Sequence, residues 1–188
     1  LEVVVINALT KIPLPANEPV LSYAPGTAER KVLKDQLAKT LGQEIEIPLI
    51  IGGKEVRTGD LADCRCPHDH RHLLARYHKA GAKEVERAAA AAQAAWSDWS
   101  EMDWMNRAGV FLRAAELLAT KYRFLLNAAT MLGQSKTAHQ AEIDSACELI
   151  DFYRFNPYYM SQIYALQPDS SAATWNYMEY RALEGFVF

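Results

Sequence analysis

The side chains best suited to chemistry gather at two places. Cys64, Cys66, His68, His70 and His72 recur at steps of two. On an extended strand they would share one face, and Cys and His are both zinc ligands. Structural zinc sites, however, leave two or more residues between paired ligands so that the chain can wrap the ion. Neighbours on a straight strand point in parallel and diverge from a single centre, and Pro67 interrupts the run. The competing reading is a polar turn between strands, and no metal is assigned. At the second place, Asp144, Glu148 and Asp151 fall at i, i+4 and i+7 and so share one helix face. Either the three form a solvated stripe, or one of them, Glu148 first, points into a cleft. Periodicity alone does not choose.

Covalent catalysis finds little support. The chain has no Gly-x-Ser-x-Gly elbow, no P-loop and no Gly-x-Gly-x-x-Gly fingerprint. Cys147 lies within a helical pattern, has no base at helical spacing and reads as a small buried hydrophobe. No catalytic residue, cofactor-binding residue or metal ligand is therefore assigned.

The elements that must carry these groups follow from periodicity and punctuation. Residues 1–23 read as an extended, proline-punctuated arm. Val32, Leu33, Leu37 and Leu41 predict a helix over Thr27 to Leu41 that stops near Gly42. Ile45 to Ile51 predicts a strand, turned by Gly52-Gly53 into a second over Lys54 to Arg57. Leu73 to Tyr77 predicts another. From Ala82 the chain reads as helical, through the alanine run 88–95. Ser100 and Asp103 suggest a capping box for a following helix with the stripe Val110, Phe111, Ala114, Leu117 and Leu118. Leu125, Leu126 and Met131 suggest a short helix ended by Gly133. Thr137 and Gln140 then cap a long helix to about Tyr159, with Ile143, Cys147, Ile150 and the stem of Arg154 facing inward and Pro157 kinking or ending it. After a loop at 167–171, Trp175 to Tyr180 alternates like a half-buried strand, and Phe186 to Phe188 begins another.

Composition narrows the class. The 188 residues are 50% hydrophobic and carry a net charge of −3, which suits one globular unit and gives no basic footprint for nucleic acid. No run reaches the roughly 18 apolar residues that a membrane span needs. The opening lacks a signal-peptide pattern, and its first residue is not Met, which leaves room for a leader or further chain before it. Three cysteines without a disulfide pattern point to a reducing compartment.

The stretch MLGQSKTAHQAEIDSACELIDFYRFN, Met131 to Asn156, closely resembles the 1-pyrroline-5-carboxylate dehydrogenases, the glutamate-forming branch of the aldehyde dehydrogenases. ANEPVLSYAPGTAER near the start is similar to the same family, as are Pro67-His68-Asp69-His70, Asn106-Arg107-Ala108 and the closing YRALEGFVF. The resemblance runs in order from about Ala16 to Phe188, with one departure at Ser135, where the family has Gly.

The resemblance implies an α/β fold. This chain would be the amino-terminal part of the aldehyde dehydrogenase fold, mostly helical, with a hairpin and the first strand of an oligomerisation arm. The expected parts are an arm at 1–23, a helical layer and hairpin of the cofactor-binding domain at 24–170, and the start of the oligomerisation and next core strands at 171–188. In the family a thiolate attacks the aldehyde of glutamate semialdehyde, hydride passes to NAD, and water releases glutamate. The nucleophile, base and NAD site of that route have no counterpart here, so NAD is expected for the full-length parent and no cofactor for this segment, which would be inactive alone. Glu148 matches the family's glutamate that faces the substrate pocket, and is expected to orient polar groups near the aldehyde. The expected partners are a small-molecule substrate and further copies of the chain, joined through the 172–184 strand, with no nucleic acid and no membrane. The compartment would be the mitochondrial matrix in a eukaryote and the cytoplasm otherwise. The rival classes are a non-catalytic helical interaction module and a metal-binding domain.

Overall fold

The computed structural model describes residues 10–187. Its frame is a helical hairpin. The first limb runs through α3 (Trp104–Leu117), a π-helical turn (Leu118–Tyr122) and α4 (Arg123–Gln134). The second runs through α5 (Ala138–Ala141), a π-helical turn (Glu142–Cys147) and α6 (Glu148–Ala165). Thr137 caps the second limb by accepting from the Gln140 N–H, while Gln140 returns a bond to the Thr137 N–H, the reciprocal capping box expected. Pro157 lies inside α6, which continues to Ala165 and so outruns the expected end at Tyr159.

The turn between the limbs puts Ser135 in the left-handed region, with φ 56° and ψ 28°. Glycine meets this geometry without the clash that a Cβ brings, which is why a Gly is expected at this turn. Here the Ser135 hydroxyl lies 2.8 Å from Nδ1 of His68 and ties the turn to the sheet.

α1 (Ala28–Leu41) begins after Thr27, ends at Gly42 as its spacing requires, and packs on α4. Between them Tyr23, Leu33 and Ala128 form one core cluster. A second, made of Ala115, Ala146 and Ile150, sits where the limbs cross. Beside the hairpin lies a three-stranded sheet of order β1-β5-β4. In it β1 (Ile45–Ile47) pairs parallel to β5 (Asp69–His78), and β4 (Leu61–Cys66) pairs antiparallel to β5. Pro48 divides the predicted first strand: β1 joins that sheet, and β2 (Leu49–Ile51) forms its own hairpin with β3 (Lys54–Val56). Gly52 and Gly53 make the hairpin turn with φ of 58° and 74°.

Other expectations need correction. Ser100 does not open a helix. It lies inside α2 (Ala82–Glu101), its hydroxyl bonding the Ser97 carbonyl, and Asp103 caps α3 by accepting from the Met105 N–H at 2.8 Å. α4 runs one residue beyond Gly133. Trp175 to Tyr180 pairs with no strand among the described residues, and its side chains are exposed. The nearest pairing is a single bridge between Ser171 and Thr174. Phe186 and Val187 are likewise unpaired, and Phe188 and residues 1–9 lie outside the described residues.

Candidate functional site

A buried polar knot holds the crossing of the two limbs. Glu142, the first residue of the second π-helical turn, is completely buried. Its Oε1 accepts from the Leu21 N–H at 2.8 Å and from Arg123. Its Oε2 accepts from the Tyr23 hydroxyl at 2.6 Å and from Asn127 Nδ2 at 2.8 Å. Arg123 begins α4, immediately after the first π-helical turn, and is also buried. It divides its guanidinium among Glu142, Glu18 and the Pro19 carbonyl, the last at 2.7 Å. Glu18 in turn accepts from Arg154 of α6 at 2.5 Å.

A buried carboxylate is tolerated only when donors replace its water, and here they do. Burial pushes the Glu142 carboxyl up, but the bonds from Arg123, Tyr23, Leu21 and Asn127 outweigh it and hold the group below the ordinary carboxylate range. Burial and the neighbouring carboxylate push the Tyr23 phenol upward. Cys147, 3.5 Å from the Arg123 guanidinium, is pushed up to about 11, by burial first and then by the charge of Glu142. Such a shift favours the protonated thiol at neutral pH.

The knot fastens the amino-terminal arm to the hairpin. Besides Glu18, Leu21 and Tyr23, the arm supplies Asn17, whose amide donates to Asp151 at 2.7 Å, and the Glu18 N–H, which does the same. The expected acidic stripe is thereby split three ways. Asp151 holds the arm, Asp144 pairs with Lys136 at 2.6 Å, and Glu148 is exposed with no hydrogen bond or ion pair among the described residues. Glu148 heads an outward stripe with Phe152, Asn156, Tyr159 and Ile163, all exposed. A concavity of about 300 Å³ opens beside it, between Phe111, Phe152, Tyr153, Asn156, Pro157 and Met160.

The Cys/His cluster is a hairpin and its turn. Cys64 and Cys66 end β4, His70 and His72 lie on β5, and irregular register follows Cys64. Only Cys66 and His68 approach one another, at 3.2 Å. Among the described residues no three Cys, His, Asp or Glu side chains converge as a metal-binding group. Nor do the starts of α1, α2 and α3 suit a dinucleotide phosphate. Glu29 stands in the first turn of α1, Glu84 caps α2 from within and Asp103 caps α3, so each presents a carboxylate where an anion would bind.

Spacing could not have revealed the knot in full, because its partners come from four separate segments. One signal was present. Ala138, Glu142, Ala146 and Ile150 follow at steps of four, and Glu142 is the lone charge on that stripe.

This hairpin, its strapped arm and its mixed sheet are those of one enzyme family. Residues 55–188 match the Aldehyde dehydrogenase family, to which the chain belongs. Within it, the chain is similar in sequence to delta-1-pyrroline-5-carboxylate dehydrogenases. A delta-1-pyrroline-5-carboxylate dehydrogenase of Agaricus bisporus is 49% identical over 182 residues, 96% of this chain and 33% of that protein. The mitochondrial delta-1-pyrroline-5-carboxylate dehydrogenase of Homo sapiens is 41% identical over 172 residues, 92% of this chain and 31% of that one. The crystal structure of the Mycobacterium tuberculosis delta-pyrroline-5-carboxylate dehydrogenase bound with NAD superposes with a TM-score of 0.94 at 46% identity, covering 96% of this chain and 34% of that one. The chain thus spans about a third of the length of the curated relatives it matches. The likeness also reaches ahead of Ala16, farther than the motifs alone indicated.

Proposed function

We propose that this chain is the amino-terminal part of an NAD-dependent 1-pyrroline-5-carboxylate dehydrogenase, which oxidises the semialdehyde form of pyrroline-5-carboxylate to glutamate in proline breakdown. The observation that carries the reading is the ordered similarity, over 96% of the chain, to proteins bearing that activity in their names, one of them bound with NAD. In this reading the nucleophile, the base and the NAD site belong to the rest of the enzyme, and these residues supply a wall.

The surface supports that division. The accessible area is 13676 Å², against roughly 9,000 Å² expected of a folded monomer of 21.1 kDa. None of the twenty residues of α2 is buried, although Val85, Trp96 and Trp99 lie on it. Such faces suit burial against a larger body. Glu148 and the stripe below it would face the substrate pocket, the carboxylate orienting polar groups near the aldehyde without acting as the base. The 172–184 segment, with Trp175 88% and Tyr177 70% exposed, would add as a strand to another copy of the enzyme. The compartment would be the mitochondrial matrix in a eukaryote, as the names of the Dictyostelium discoideum and Homo sapiens relatives state for those proteins, and the cytoplasm otherwise.

The test is NADH production from pyrroline-5-carboxylate. The full-length enzyme turns over, while the 188-residue chain alone does not. Robust turnover by the isolated chain would defeat the division of labour. A full-length enzyme that ignores pyrroline-5-carboxylate but oxidises another aldehyde would defeat the substrate assignment.

A further inference from the structure

The stripe headed by Glu148 owes its direction to the π-helical turn before it. Ala141 is completely buried, and in an uninterrupted α-helix Glu148 and Phe152, at i+7 and i+11, would lie on the same face as Ala141. They do not. From the turn Glu142–Cys147 onward the buried positions are Glu142, Ala146 and Cys147 within it and Ile150 and Pro157 beyond it, while Glu148 and Phe152 are exposed. A π-helical turn accommodates one more residue than an α-helical turn, which rotates everything after it by about 100°. The extra residue therefore turns the Glu148 stripe from the inside of the hairpin to its outside.

A π-helical turn is less favourable than the α-helix it interrupts, and persists where surrounding contacts determine it. Those contacts are on hand. The turn starts at Glu142, whose two carboxylate oxygens are held by Arg123, Asn127, Tyr23 and the Leu21 backbone, and it ends at Cys147, in contact with Arg123. We infer that Glu142 and Arg123 are positioning residues: with the arm they lock the extra residue in place and so aim Glu148 and Phe152 toward substrate. The inference rests on the proposed substrate-facing role of Glu148.

The test uses the full-length enzyme and four measurements: kcat, KM for pyrroline-5-carboxylate, KM for NAD, and the alkylation rate of Cys147. Glu142→Gln keeps the shape of the side chain and removes its charge. Arg123→Met with Glu142→Leu removes both charges at similar volume, so that the chain still folds. Both variants are expected to open Cys147 to alkylation and to raise KM for pyrroline-5-carboxylate about tenfold, the size of one lost charged hydrogen bond. KM for NAD should stay put. Glu148→Gln is expected to raise the same KM while leaving Cys147 closed. If Glu148→Gln leaves KM unchanged, the substrate role of Glu148 fails and the positioning role falls with it. If Glu148→Gln raises KM but the knot variants expose Cys147 without raising it, only the positioning role is overturned.

Discussion

The crossing of the two helical limbs and the outer faces of the chain are built on opposite plans. At the crossing, a few small apolar side chains surround a knot of charges whose hydrogen-bonding atoms are almost all engaged, Asn127 Oδ1 being the exception. On the outside, Trp96, Phe152, Tyr159 and Trp175 are all at least 41% exposed. Large aromatic side chains normally supply a domain's core. Here Tyr23 alone among the described large aromatic side chains is buried, and polar contacts of high specificity do much of the internal joining. The contrast separates the residues that shape this segment from those reserved for what covers it.

The strongest way to break that contrast is to truncate on each side of it. Glu142→Ala leaves Arg123 buried without its main partner, and should cost about 3–5 kcal/mol in urea unfolding. Trp175→Ala should stay within about 0.5 kcal/mol, as surface substitutions do. Equal losses would erase the distinction.

pH sharpens it next. The Glu142 carboxyl is held below its ordinary range in the fold, so its contribution is fully present above that range and disappears as pH falls through the depressed folded value. Unfolding free energy should therefore drop in acid, and Glu142→Gln should flatten that part of the profile. Cys147 runs the other way. Raised from 9.0 to about 11, it contributes stability that is complete below 9 and is lost as pH climbs toward 11. At pH 8 its thiolate fraction should be about a hundredfold lower than that of an unperturbed thiol, so iodoacetamide should label half-exposed Cys64 well before Cys147.

A smaller effect than that of Glu142→Ala belongs to the turn. Ser135→Ala keeps the left-handed strain and loses the His68 bond, and should cost about 0.5–1 kcal/mol. Ser135→Gly relieves the strain as it loses the bond, and should fall nearer the parent. A Ser135→Ala variant as stable as Ser135→Gly would show that the left-handed geometry is not held in solution.

Much of the frame was legible because its signals are local. Thr137 with Gln140, Gly42 after Leu41, and Gly52-Gly53 between two apolar runs each act within a few residues, and the cap, the helix end and the hairpin turn formed where they placed them. β4 was hidden because its Cys64 and Cys66, with the histidines that follow, read as chemistry or turn, whereas its pairing with β5 is a backbone matter. Ser100 misled because Asp103, three residues on, can serve as cap or as capped partner, and took the first role. The knot was illegible for a different reason: Glu18, Arg123, Glu142 and Arg154 meet only after the chain has folded. The π-helical turns leave no mark on the sequence at all, since any residue can be the extra one. Glu148 was correctly placed on a helix, but which way that helix presents it depends on such a turn.

The strap across the crossing also sets a timetable for synthesis. Glu18 leaves the ribosome long before Arg154, which follows 136 residues later. At ordinary translation rates that interval is roughly seven to twenty-seven seconds. For most of it the early carboxylate has neither guanidinium at hand, since Arg123 itself follows 105 residues after Glu18, and the nascent arm is fully fastened only when α6 emerges.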